Sequence, residues 1–186
     1  MFLLNRHPTV TAADPAVDLR LRHLAGADQT RSWNRRELLH EIFESRVDAN
    51  PTGIAVECDT RRISYLDLDR RANQISHLLR YQSVGAGSTV ALLLPRSELV
   101  YFALLGILKS GAAYVPIDPD YPAERVAHIL ADAKPAAIIT STDLASKCAG
   151  YATFILRLDT DSTLLDRQPI HRLTRQPVFD GTLDGT

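Results

Sequence analysis

Short apolar segments alternate with amphipathic helical segments from residue 54 to about residue 158, and this alternation limits the folds open to the chain. Residues 90–94 and 136–140 are almost entirely apolar, which is typical of strands buried on both faces of a sheet. The short connections between strands and helices imply crossover units and parallel strands. The pattern therefore predicts an α/β fold with a mainly parallel, doubly wound sheet and helices on both faces.

The segment that follows Ser64 has the start signal and the two-sided pattern of an amphipathic helix. Ser64 and Asp67 have the spacing of a capping box, in which side chains satisfy free amides at a helix start. One face of this helix is apolar and carries Leu68, Ala72, Ile75 and Leu79. The opposite face is polar and carries Asp69, Arg70, Arg71, Gln74 and His77. We expect the arginine pair on this face to be solvated.

The alternation does not extend over the whole chain, which has 186 residues and fits one domain. Residues 1–36 are interrupted by Pro8 and Pro15 and are predicted to be an irregular leader or linker. Residues 37–160 are the predicted domain. Residues 161–186 lose the periodic pattern, so we expect a weakly structured tail.

Composition excludes several classes of protein. Lysine and arginine number 21 against 22 acidic residues, whereas a nucleic-acid-binding domain is normally clearly basic. The longest apolar stretch, residues 99–108, is half of the roughly 20 residues that a membrane span needs. Cys58 and Cys148 make no disulfide framework, which fits a reducing compartment. We therefore expect a cytoplasmic protein that binds neither nucleic acid nor a membrane.

No catalytic, cofactor-binding or metal-ligating set emerges from the residue patterns. Residues 85–87 read Gly-Ala-Gly, but they follow a helix and precede a strand, the reverse of a dinucleotide-binding loop. Asp159 and Asp161 lack the further ligands of a calcium loop, so a solvated loop is expected. Residues 140–142 are rich in hydroxyls, which helix capping explains. The three lysines lack a recognisable catalytic context: Lys109, Lys134 and Lys147.

One stretch is far more specific than the overall pattern. Residues 108–118 read Leu-Lys-Ser-Gly-Ala-Ala-Tyr-Val-Pro-Ile-Asp, and residues 119–125 continue as Pro-Asp-Tyr-Pro-Ala-Glu-Arg. This stretch closely resembles a core signature of the adenylation domains of non-ribosomal peptide synthetases. Upstream, residues 63–68 resemble the first core motif of these domains, and residues 39–44 resemble their beginning. The resemblance runs from about Leu38 to Leu158 in one register.

The resemblance implies the adenylate-forming fold, of which this chain would hold an incomplete N-terminal subdomain. Members of the family use ATP and Mg²⁺ to convert an amino acid into an aminoacyl-adenylate and release pyrophosphate. They then transfer the acyl group to the phosphopantetheine thiol of a carrier protein. Acyl-CoA ligases and luciferases share the fold, but the sequence of residues 113–118 is closer to that of the peptide synthetases.

A departure from the family pattern affects the expected activity. The family's phosphate-binding loop is rich in Thr, Ser and Gly, ends in Pro-Lys-Gly and lies downstream of the last predicted strand. No such segment occurs before Thr186. We therefore expect an N-terminal fragment that is inactive alone and holds no catalytic, cofactor or metal residues. Because later elements would cover this sheet in a whole domain, we also expect exposed apolar surface.

The resemblance also suggests partners, namely the remainder of a synthetase and a carrier protein. In some relatives, small MbtH-like activator proteins dock on the helix and strand that follow the signature. The matching region is residues 122–137, in which Ala133, Pro135 and Ala136 are candidate contacts. Two alternatives stay open: a docking module for a synthetase or MbtH-like partner, and part of an acyl-CoA ligase-type enzyme.

Overall fold

The structure, a computed structural model, describes residues 38–151 and 153–174. The predicted leader, residues 1–36, and residues 175–186 of the predicted tail lie outside the described residues. The helices are α1 (Leu39–Ala49), α2 (Tyr65–Tyr81), α3 (Glu98–Ser110), α4 (Ala123–Ala133), α5 (Thr142–Ala145) and α6 (Ser162–Asp166). The strands are β1 (Ile54–Cys58), β2 (Arg61–Ser64), β3 (Thr89–Leu93), β4 (Ala113–Pro116), β5 (Ala137–Thr140) and β6 (Phe154–Arg157).

Four of the strands form one parallel sheet in the order β4-β3-β5-β6. Val90 of β3 is aligned with Tyr114 on one side and with Ala137 on the other. Strands β1 and β2 form a separate antiparallel hairpin. The chain therefore leaves β3 for β4 on one side and returns past it to β5 on the other, which confirms the predicted doubly wound α/β fold.

Two apolar cores lie on opposite faces of this sheet. Val90 and Leu92 point to the face covered by α2 and α3, where they join Ile75 and Ile107. The alternate residues of β3 point to the other face, which is covered by α4. Helices on both faces explain why β3 and β5 read as continuous apolar runs.

Helices α2 and α3 approach each other closely at Gly106. A Cβ atom on Gly106 would lie 2.5 Å from Cγ2 of Ile75, so only glycine fits between the two helices there. Helix α3 ends at Gly111, whose φ of 87° is left-handed and free of the Cβ penalty. The signature segment 108–118 thus comprises the end of α3, its glycine cap, β4 and the start of the following loop.

Two predicted helix starts have different outcomes. Ser64 Oγ accepts a hydrogen bond from the Asp67 amide at 3.1 Å, which confirms the predicted cap of α2. The capping role predicted for residues 140–142 is wrong, because Ser141 at the start of α5 makes no side-chain cap bond. The Asp159 carboxylate instead accepts the Thr142 amide at 3.0 Å. The cap is a tertiary contact, which local sequence does not reveal.

Residues 161–174 contain more structure than the fading periodicity indicates. Helix α6 buries Leu165 in the core beside α2 and α3, and residues 167–174 then run along α2. Residues 167–174 are held by polar contacts, which produce no apolar periodicity in the sequence. Among the described residues, no helix has the length and apolar character needed to cross a membrane.

Candidate functional site

The carboxyl edge of the parallel sheet is where open α/β sheets usually bind ligands. A cavity of about 680 Å³ lies at this edge, between the loop after β3 and the loop after β4. Arg96 lines it on one side, and Asp118, Asp120 and Tyr121 line it on the other. The cavity is therefore formed partly by the exit of the signature segment.

The loop after β4 is held in place by a lysine. Lys147 Nζ donates hydrogen bonds to the carbonyl oxygens of Pro119 at 2.6 Å and Tyr121 at 2.8 Å. Oδ1 of Asp118 accepts the Asp120 amide at 2.9 Å. Lys147, for which the residue patterns predicted no role, is thus an anchor for a rigid loop and does not face the cavity as a free cation.

The carboxylates of the loop after β6 also accept hydrogen bonds from the chain itself. Burial opposes ionisation of Asp159, but the hydrogen bonds from Thr142 outweigh it and lower the pKa of that carboxyl below its usual value. Oδ2 of Asp161 accepts the Arg157 amide at 2.8 Å. Among residues 38–151 and 153–174, no group of three or more His, Cys, Asp or Glu side chains could hold a metal. The carboxylates at this edge therefore do not fit a magnesium–triphosphate site.

A second cavity of about 450 Å³ lies between α2, α3 and the β1–β2 hairpin, with an apolar floor that includes Ile75 and Phe102. Its charged rim groups already have partners. Glu98 is paired with Arg61, and Arg71 Nη1 contacts Asp166 Oδ1 at 2.8 Å. Because these charges are already paired with one another, the described rim does not indicate a particular class of ligand.

A buried charge cluster joins α1, α2 and α3. Lys109 of α3 donates to Asp69 Oδ1 at 2.7 Å and also to the Glu44 carboxylate, and its side chain is only 3% exposed. A buried ammonium without partners would be strongly unfavourable, so the two carboxylates are required where they are. The sequence did contain a signal, because a lysine in a helix that is apolar nearly all round needs a buried partner.

Arg172 extends the charge cluster to the end of the described chain. Its Nη2 lies 2.8 Å from Asp48 Oδ1, and its Nε lies 3.4 Å from Asp69 Oδ2. The hydrogen bond from Arg172 lowers the pKa of Asp48, and the same bond raises the pKa of Arg172. The cluster thus contains Glu44, Asp48, Asp69, Lys109 and Arg172.

Residues 167–174 cover part of the polar face of α2, and the predicted solvation of its arginine pair holds for Arg70 but not fully for Arg71, which is half-buried. Nδ2 of Asn73 donates to the Ile170 carbonyl at 2.8 Å. His77 Nε2 lies 2.9 Å from the His171 carbonyl oxygen. Arg71 is paired with Asp166, whereas Arg70 is exposed as expected. The covering segment comes from about 95 residues away, which periodicity along α2 does not report.

The three predicted partner contacts lie together at the turn between α4 and β5. Ala133 is half-buried, Pro135 is buried and Ala136 is exposed. Thr153 Oγ1 donates to the carbonyl oxygens of Pro135 and Ala136 at 3.2 and 2.6 Å. The turn is therefore fixed from within, and Ala133 and Ala136 present the accessible surface.

Known proteins share both the sequence and the architecture of this chain. The sequence profile of the family described as "AMP-binding enzyme" matches residues 43–178. Gramicidin S synthase 2 of Brevibacillus brevis is 37% identical over 139 residues, which are 75% of this chain and 3% of that synthase. The chain thus spans only a small part of the curated relatives it matches.

Solved structures share the fold. The non-ribosomal peptide synthetase FmoA3 with bound α-methyl-L-serine-AMP superimposes with a TM-score of 0.70 at 33% identity, covering 75% of this chain and 15% of that one. The NpsA N-terminal subdomain of Klebsiella oxytoca superimposes with a TM-score of 0.63 at 25% identity. That match covers 75% of this chain and 35% of the subdomain.

Proposed function

The chain belongs to the AMP-binding enzyme family, and from this we propose that it supplies the scaffold part of an amino-acid-activating adenylation domain. The matched segment is the N-terminal region of an adenylation domain of a non-ribosomal peptide synthetase, as the signature in residues 108–118 predicts. The relatives named above are peptide synthetases. A docking module and an acyl-CoA ligase-type enzyme are therefore not favoured.

One observation carries the proposal: the residues that match the family are the same residues that form the helices and the parallel sheet. The match over residues 43–178 includes the whole four-stranded sheet and runs past α6. The signature residues have structural roles within it, since Gly111 ends α3 and residues 113–118 form β4 and its exit. We extend the predicted domain, residues 37–160, at least to residue 174.

In the whole domain, we propose that ATP and Mg²⁺ activate an amino acid as an aminoacyl-adenylate, which is then passed to a carrier protein. The part of the chain described by the structure contributes positioning only. The carboxylates nearest the sheet edge, Asp118 and Asp159, are used to hold backbone amides. We therefore propose that the chain alone does not adenylate, and that it acts in the cytoplasm together with the remainder of a synthetase.

A segment exchange tests the scaffold role. The matching segment of the adenylation domain in gramicidin S synthase 2 is replaced by residues 38–174 of this chain. We expect amino-acid-dependent ATP–pyrophosphate exchange with the amino acid preference of the host. The matching segment of FmoA3 in the same host is the control. A folded chimera without exchange, beside an active control, would overturn the proposal; exchange by the 186-residue chain alone would refute its inactivity.

We propose that an MbtH-like protein, where one acts, contacts Ala133 and Ala136, with Pro135 supporting the turn. Small side chains allow close approach of a partner at this turn. A pull-down by the chain with an MbtH-like protein is expected to succeed and to fail after Ala136→Arg. The matched control is Ala131→Arg on the exposed side of α4. Binding that is equal in both variants would rule out this contact.

A further inference from the structure

Residues 167–174, called the strap below, lie along α2 without an apolar anchor. None of the strap's side chains is fully buried against the described residues, and Ile170 leaves 51% of its surface exposed. Two side chains of α2 hold the strap by its backbone. Asn73 donates to the Ile170 carbonyl at 2.8 Å, and His77 Nε2 lies 2.9 Å from the His171 carbonyl oxygen. A segment held by polar contacts at the surface opens at a lower free energy than the core does.

Helix α1 is weakly anchored as well. Among its 11 residues, Val47 alone is fully buried in the described structure. Half-buried Phe43 packs against the small apolar cluster of Leu68, Ala72 and Leu105. An isolated helix of this length is marginally stable in water, so α1 depends on its contacts with α2 and α3.

Arg172 of the strap fastens both elements at one point. Its guanidinium pairs with Asp48 of α1 at 2.8 Å and with Asp69 of α2 at 3.4 Å. Its Nη2 also donates to the Glu44 carbonyl oxygen of α1 at 3.2 Å. The strap and α1 are therefore held to α2 through the same side chain.

The charge cluster contains three carboxylates and two cations, and either element disturbs this balance when it leaves. Opening of the strap withdraws Arg172, which leaves Lys109 with three carboxylates. Opening of α1 withdraws Glu44 and Asp48, which leaves both cations with Asp69. Because like charges that stay together in a partly buried site repel one another, each opening favours the other.

We propose that α1 and the strap form one opening unit, which leaves α2 and returns to it as a whole with Arg172 as the link. Coupling of this kind is reciprocal. A contact that stabilises or loosens α1 therefore changes the order of the strap by the same factor. The unit transmits an event at Leu39–Ala49 to residues 167–174, at the opposite end of the described chain. Independent opening of the two elements is the competing possibility.

Two measurements on the full chain report on the two elements separately. Hydrogen exchange of the amides of residues 43–49, which bond within the helix, reports on α1. Trypsin cleavage after Arg172 reports on the strap, because this side chain must leave its carboxylates to enter the protease. Exchange of the fully buried strand β5 reports on global unfolding.

His77→Ala perturbs the strap at a contact that includes no residue of α1. It removes one hydrogen bond to the strap, so the cleavage rate after Arg172 and the exchange rate of α1 should both rise about fivefold. Exchange of β5 should stay unchanged. Tyr81→Ala, one turn further along α2 at an exposed position, is the matched control and should change neither rate.

Phe43→Ala perturbs the unit from α1. It removes packing against the apolar cluster of Leu68, and both rates should rise about tenfold. In an Arg172→Met background the link is absent, so the addition of His77→Ala should leave exchange of α1 unchanged. If Phe43→Ala does not fold, His77→Ala with and without Arg172→Met still tests the unit.

Three outcomes would overturn the opening unit. His77→Ala could accelerate cleavage after Arg172 but not exchange of α1, which would show that the elements open separately. Strand β5 could accelerate by the same factor, in which case the whole domain unfolds. His77→Ala could also accelerate exchange of α1 in the Arg172→Met background, which would exclude Arg172 as the link. None of these measurements depends on adenylation, so they are independent of the segment-exchange chimera.

Discussion

Helix α2 buries residues on both its apolar and its polar face, but by different means. The apolar face carries Leu68, Ala72, Ile75 and Leu79, each no more than 3% exposed. On the polar side, Asp69 and Gln74 and their neighbours Asn73 and Ser76 are each no more than 9% exposed, whereas Arg70 is exposed. Apolar side chains cover the first face, whereas Lys109, Arg172 and the backbone of residues 167–174 cover the second.

The difference shows what each kind of burial requires. Apolar contacts are non-directional, so many arrangements of neighbours give similar stability. Buried polar groups need specific partners, and a missing partner leaves the full desolvation penalty. On α2, the described side chains leave one buried polar atom without a partner, Oδ1 of Asn73. Packing against the polar face therefore tolerates fewer arrangements of neighbouring residues than packing against the apolar face.

The largest effect is expected on the apolar face. Leu79→Ala removes a fully buried side chain and should lower the free energy of unfolding by about 4 kcal/mol, because it leaves a cavity. Urea denaturation followed by circular dichroism measures this. Tyr81→Ala, at an exposed position on the same helix, is the control and should change it by less than about 0.5 kcal/mol. Equal losses would contradict the assignment of the core face.

Lys109→Met tests whether the polar face depends on charge. The substitution leaves the Asp69 and Glu44 carboxylates with Arg172 as their ion-pair partner among the described residues, and it should cost about 3 kcal/mol by the same denaturation measurement. Lys134→Met changes an exposed lysine and should cost almost nothing. Equal losses of unfolding free energy in the two variants would show that the buried charges on the polar face contribute no more than an exposed charge does.

Arg172→Gln should have a smaller effect because this side chain is 33% exposed and its ion pairs are partly screened. We expect a loss of about 1 kcal/mol, together with faster amide exchange in α1 and in residues 167–174. Arg70→Gln on the exposed part of α2 is the control. Unchanged exchange in α1 would show that Arg172 does not hold that helix.

The smallest effect is on acid stability. Because Arg172 lowers the pKa of Asp48 below its ordinary value of 3.8, this pair stabilises the fold above that pH. The contribution is lost as pH falls through the lowered pKa. The difference in urea midpoint between the unaltered chain and Asp48→Asn should therefore shrink below about pH 4. A difference that stays constant between about pH 7 and about pH 2.5 would contradict it.

Much of the fold could be predicted from particular residues. The apolar runs at 90–94 and 136–140 predicted β3 and β5, and the Ser64–Asp67 spacing predicted the start of α2. The predicted cap of α5 failed because its acceptor, Asp159, lies 17 residues further along the chain. Local patterns predict local hydrogen bonds, and this one is not local.

Residue order alone predicts the alternation of strands and helices, the glycine cap at Gly111 and the family signature. The packing of distant segments brings Lys109 to Asp69 and Arg172 to Asp48, pairs separated by 40 and 124 residues. The same packing places β4 at one edge of the sheet that the described residues form. The physical reason is that periodicity reports which face of an element is apolar, whereas the partner of a polar face depends on how distant segments pack.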